Sequence, residues 1–133
     1  MRIMLDTNVI ISAVVFGGRT GRLLRSLLAS EHKVFVSEYV DREFHDKLKQ
    51  KWPEISFETY AFYRSMRFIF CESSSTVEDS VELRDKKDIP VLRDALYHDV
   101  DILLTGDKDF LESAVKKPII FSPSMMADFL HVD

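Results

Sequence analysis

Short apolar runs and helix-period stripes take turns along this chain, and that alternation restricts the fold more than any other feature of the sequence. Residues 2–6 form an apolar run of strand length, and after the Gly17-Gly18 break Leu23, Leu24, Leu27 and Leu28 recur at helical spacing. Val34-Phe35-Val36 is a second run. Ser37 then stands where it can cap a helix carrying Val40, Phe44 and Leu48 at i, i+4, i+8. Trp52-Pro53 stops that helix, another is expected over residues 56–66, and Phe68-Ile69-Phe70 reads as a third strand. After the polar stretch Ser73-Ser74-Ser75-Thr76 the pattern resumes. Val91, Leu92, Ala95 and Leu96 mark a helix, residues 101–105 a strand, "KKPIIFSP" a last strand and residues 124–130 a closing helix. Strands alternating with helices predict an α/β fold in which helices cover both faces of a parallel sheet.

A chain of 133 residues, 46% hydrophobic and 30% charged, suits one soluble domain spanning residues 1–133. Its apolar runs fall far short of the roughly 20 residues a membrane helix needs, and no basic stretch followed by an apolar one opens it. A cytoplasmic protein is expected. Cys71, the only cysteine, excludes an intrachain disulfide and reads as a small buried hydrophobe. His32, His45, His98 and His131 lack the spacing of a zinc site.

The chemistry is carried by acids. "RIMLDTNVIIS" sets Asp6 between two core-like runs, where a carboxylate is rarely buried without a partner. "DILLTGDKDFL" repeats the design: an apolar strand closes on Thr105-Gly106 and delivers Asp107, with Asp109 two positions on. In open α/β sheets ligands bind beyond the carboxyl ends of the strands, which is where these acids fall. Glu43 sits at the border of the Val40/Phe44/Leu48 stripe, and Asp88, just before Ile89-Pro90, stands at a helix start. Gathered at one sheet edge, four carboxylates repel unless a cation joins them; Mg²⁺ or Mn²⁺, hard ions with oxygen ligands, supply that compensation and activate water against a phosphodiester. Without those four acids the chain is formally neutral.

Each acid taken singly has a plainer reading. Glu43 can pair with Lys47 at i, i+4, Asp88 can serve only as an N-cap, and Asp107 and Asp109 suit a glycine-containing turn. The set carries the argument. Asp85 competes with Asp88 for the third position, whereas Asp94, six residues past Asp88, lies about 240° round a helix and is set aside.

"MLDTNVIISA", "SEYVDREFHDKL", "RDKKDIPVLRDAL", "VDILLTGDKDFL" and "PIIFSPSMMADFL" follow the order and approximate spacing of PIN-domain ribonucleases. The chain resembles that family, including the VapC-like toxin components of bacterial toxin–antitoxin pairs, over nearly its whole length. The resemblance implies a three-layer α/β/α sandwich with a parallel sheet of four or five strands. It implies Mg²⁺- or Mn²⁺-dependent endonucleolytic cleavage of RNA, leaving a 5′ phosphate and a 3′ hydroxyl. Asp6, Glu43, Asp88 and Asp107 would hold the metal, Asp109 would add a further carboxylate, and Thr7, Asn8 and Thr105 would support the ligands. The implied partners are RNA, a protein antitoxin and a second copy of the chain.

With a pI near 5.6, RNA has to be gripped locally rather than by bulk charge. Arg19 and Arg22 beside the Gly17-Gly18 loop and Lys86 beside Asp88 are the candidate phosphate contacts, a solvated helix face being the plainer reading. The aromatics of "FETYAFYRSMRFIF" read first as core or dimer face and second as a platform for unpaired bases. A receiver-like signalling domain would need its acid on a central strand and a lysine after a later one, and a phosphohydrolase with an aspartate nucleophile would need an acid where Asn8 stands. The remaining alternative is a non-catalytic binding or scaffold module of the same fold.

Overall fold

All five apolar runs become strands, and all five join one parallel sheet. The computed structural model describes residues 1–74 and 89–132. Its strands are β1 (Arg2–Leu5), β2 (Lys33–Ser37), β3 (Ile69–Cys71), β4 (Ile102–Leu104) and β5 (Ile119–Phe121). Their order across the sheet is β3-β2-β1-β4-β5, with every neighbouring pair parallel. The chain therefore builds outward from β1 on one side, then returns to lay β4 and β5 on the other. That reversal makes the carboxyl ends of β1 and β4 the topological switch point, where such sheets leave a crevice.

The strands are apolar without alternation because helices flank the sheet. Ile3, Met4, Leu5, Val36 and Leu103 are fully buried. The helices are α1 (Thr7–Ile11), α2 (Gly18–Ala29), α3 (Glu38–Lys51), α4 (Ser56–Arg64), α5 (Ile89–Tyr97), α6 (Lys108–Leu111) and α7 (Pro123–Leu130). Packing divides them into groups: α2 meets α7, while α3 meets α1, α4 and α5. Ser37 caps α3 as expected, its hydroxyl accepting from the Val40 N–H at 3.3 Å, and Val40, Phe44 and Leu48 are fully buried below it.

Two elements escape the periodic pattern. Between α1 and α2 the chain makes a π-helical turn (Ser12–Phe16), closed by the Gly17 N–H donating to the Ser12 carbonyl at 2.9 Å. Gly17 ends it at φ +80°, a conformation that a side chain would strain. The aromatic stretch also splits. Tyr63 is fully buried, edge-on to Phe44 with ring centroids 4.5 Å apart, whereas Phe57 and Phe62 are 83% and 61% exposed. On α5, Leu96 is exposed while Asp94 is buried, the reverse of what the apolar pattern suggests. Among the described residues, no helix is long and apolar enough to cross a membrane.

Candidate active site

Asp6 follows the last residue of β1 and is the N-cap of α1, at φ −81° and ψ 159°. Its Oδ1 accepts the Thr7 N–H at 2.8 Å, satisfying the first free N–H of α1. Its own N–H donates to the Leu104 carbonyl at 2.9 Å, so the ends of β1 and β4 are joined at the switch point. The second carboxylate oxygen makes a bond that capping does not require: the Thr105 hydroxyl, at the end of β4, donates to Oδ2 at 2.8 Å.

Thr105 connects two acids. Fully buried, it donates to Asp6 and accepts the Asp107 N–H at 3.1 Å. Asp107 in turn caps α6, its Oδ1 accepting the Asp109 N–H at 2.8 Å. The turn chemistry expected for Asp107 and Asp109 is therefore present, and it coexists with proximity to Asp6. Asp109, half-buried, stands on the first turn of α6.

Glu43 lies on α3 beside the buried Phe44 and reaches Lys47 at 4.0 Å, the i, i+4 pair that its spacing allows. With both partners partly exposed, that contact adds little to stability. Its charge is felt at Asp6 nonetheless. Burial pushes the Asp6 carboxyl above its ordinary value of 3.8; the Thr105 and Thr7 hydrogen bonds counter this, and the negative charges of Glu43 and Asp107 push it further up. The two charges identified as acting on Asp6 are both negative. Beside it Thr7 is buried, with its hydroxyl oxygen left without a hydrogen-bond partner among the described residues. Asn8 is exposed on α1.

Asp6, Glu43 and Asp107 thus share one electrostatic field at the switch point, although among the described residues no three acidic, histidine or cysteine side chains close into a metal-holding group. Asp88, its rival Asp85, and Lys86 lie outside the described residues. Arg19 is engaged elsewhere, donating to Asp128 at 2.9 Å and to the Ser124 hydroxyl at 3.2 Å, which ties α2 to α7; Arg22 is exposed on α2. A groove beside Glu43, lined by Tyr39, Arg42, Asp46, Lys47 and Gln50, adds Arg42 to the Lys47 that the i, i+4 spacing already paired with the acid. All of these residues lie on α3, so helical spacing alone puts Arg42 and Lys47 beside the acid. The Cys71 thiol, pushed up to about 11 by burial and then by the Asp94 and Glu38 carboxylates, is not set up as a nucleophile.

Two solved structures share this architecture. VapBC2 from Rickettsia felis, bound to a DNA fragment from their promoter, superposes with a TM-score of 0.72 at 16% identity, covering 92% of this chain and 98% of that one. VapC20 from Mycobacterium tuberculosis, described as a sarcin-ricin loop cleaving toxin, superposes with a TM-score of 0.58 at 14% identity, covering 84% of this chain and 95% of that one. At such identities the likeness is one of fold. No curated protein sequence matches the chain. The PIN-domain profile matches residues 2–109, taking in Asp6, Glu43, Asp107 and Asp109 together. By that match the chain belongs to the PIN-domain family.

Proposed function

We propose that this chain is a metal-dependent endoribonuclease, the toxin of a toxin–antitoxin pair, working through a Mg²⁺ or Mn²⁺ site at the carboxyl ends of β1 and β4. The observation that carries this reading is Asp6: a carboxylate buried to 6% exposure, raised in pKa, with the charges of Glu43 and Asp107 adding to the cost of ionising it. A divalent cation reverses that electrostatic cost. The donor set fits one, since every candidate ligand is an oxygen and hard ions prefer oxygen. The Thr7 hydroxyl, next to Asp6 and without a partner among the described residues, supplies further hydrogen-bonding capacity at the same place.

Asp6, Glu43, Asp88 and Asp107 would hold the metal, with Asp109 as a further carboxylate. Bound there, the ion supplies Lewis-acid stabilisation of phosphodiester hydrolysis and activates water. The chain's own groups do the rest. Thr105 orients Asp6 by donating to Oδ2 and fixes the start of α6 by accepting from the Asp107 N–H. Arg42 and Lys47, beside Glu43, would receive phosphates of an RNA strand entering over α3. The antitoxin partner is part of the same proposal, supported by the fold shared with VapBC2, and a homodimer is proposed with it.

The test is incubation of a mixed pool of single-stranded and structured RNA with Mn²⁺, Mg²⁺ or EDTA, followed by analysis of the new ends. Cleavage with either metal, absent in EDTA and leaving 5′ phosphates, is expected. RNA left intact under all three conditions would favour the scaffold reading.

A further inference from the structure

Arg19 is a cation set between two helix starts. It is the second residue of α2, and its guanidinium reaches across to α7, donating to the Ser124 hydroxyl in the first turn at 3.2 Å and to Asp128 Oδ1 at 2.9 Å. The first turn of a helix carries partial positive charge and is stabilised by anions, yet the first turns of α2 and α7 contain no acid. The acid that does meet Arg19, Asp128, stands in the last turn of α7, where the helix dipole disfavours a negative charge. Water reaches both partners: their side chains are 44% and 74% exposed, and an ion pair of that kind contributes little to stability. Stability alone does not account for the placement of these two charges.

The contact lies on the rim of the acidic site. Thr105, whose hydroxyl donates to Asp6, donates its own N–H to the Phe121 carbonyl at 3.0 Å, at the carboxyl end of β5. Ser122 follows and caps α7. Ser124 is three residues past Phe121, no more than about 11 Å away at 3.8 Å per Cα step. An RNA strand lying across the carboxyl ends of the sheet passes Arg19 as well as Asp6. We infer that Arg19 is a phosphate-binding residue of this site and that Asp128 holds the phosphate's place in the free protein: an incoming phosphodiester takes over the guanidinium and Asp128 turns out to solvent. This rests on the nuclease reading and deepens it by naming where the RNA backbone is gripped beyond the metal. The exchange is nearly balanced, because one exposed charge-assisted contact replaces another. Counterion release along the RNA and the two helix starts, which favour an anion between them, tip it toward the bound state.

The test is fluorescence anisotropy of an end-labelled single-stranded RNA of mixed sequence, kept in EDTA so that it stays intact, titrated at several salt concentrations with the parent, Asp128→Asn, Arg19→Ala and the double variant. Asp128→Asn should bind about two- to fivefold more tightly, the strength of an exposed ion pair withdrawn from the competition, with its melting temperature little changed. Arg19→Ala should bind more weakly and flatten the log–log salt dependence by about 0.7, the share of one phosphate contact on a single strand. The double variant should match Arg19→Ala, because Asp128 acts through Arg19. Asp128→Asn binding no tighter than the parent, or tightening equally with and without Arg19, would overturn the exchange and leave Mn²⁺-dependent cleavage standing. A parent that binds no RNA would overturn the exchange as well, and the nuclease reading falls with it if Mn²⁺ also leaves the RNA uncut.

Discussion

Asp6→Asn is expected to abolish metal-dependent RNA cleavage while making the metal-free protein more stable. Activity should fall by at least about a hundredfold, because a bound metal supplies several kcal/mol of transition-state stabilisation and each ~1.4 kcal/mol is tenfold in rate. The gain in stability follows from linkage. The fold raises the Asp6 pKa above 3.8, so the protonated form is favoured in the native state and the charged form costs stability. That cost is absent below the ordinary carboxylate value and grows as pH rises through the raised one. Asparagine escapes it. Its carbonyl can still accept the Thr7 N–H, and Asn caps a helix as well as Asp; its amide can donate to the Thr105 oxygen. In EDTA near pH 7.5 the variant should melt above the parent, with the difference closing near pH 3. Thermal melts at both pH values check this. Lower stability of the variant at neutral pH would show that Asp6 is a structural cap rather than a strained ligand.

Phe44→Ala should give the largest loss of stability. The ring is fully buried under α3 and meets Tyr63 edge-on at 4.5 Å, an arrangement that contributes beyond the area it buries. Truncating such a side chain costs about 3–5 kcal/mol, a melting-temperature fall of roughly 10 °C or more. The control is Phe57→Ala, whose ring is exposed and whose removal should change stability by less than about 0.5 kcal/mol. Urea unfolding of both variants measures the difference. If Phe44→Ala lost under about 1 kcal/mol, the packing of α3 on α4 would not be what holds the Glu43-bearing helix in place.

The parts legible in the sequence are those in which local pattern and tertiary demand agree. Leu103 and Ile3 are buried from both sides, so their strands read as unbroken apolar runs, and Ser37 is both the capping residue by type and the cap in fact. Where a contact spans the chain, the pattern is silent. Arg19 reads as a basic face beside a glycine loop, but its partners Ser124 and Asp128 come from α7, more than a hundred residues on. The π-helical turn over residues 12–16 is invisible because its apolar residues fit any helix or strand. α6 is four residues long, too short to show a period. Asp41 passes as a surface charge in the first turn of α3, yet it accepts from the Tyr60 and Tyr63 hydroxyls at 3.0 and 2.9 Å, and after burial its charge and hydrogen bonds raise the pKa of both. The fold shows as well that Thr105 bridges Asp6 and Asp107, a role no spacing rule assigns to it.

The central claim is that the acids around Asp6 form a divalent-cation site, and the most direct measurement is calorimetric titration of Mn²⁺ into metal-free parent and Asp6→Asn at neutral pH and again near pH 5. The account predicts saturable binding by the parent, weakening on acidification as protons compete for Asp6, and none by the variant. Equal isotherms for the two proteins, or no binding by either, would contradict it.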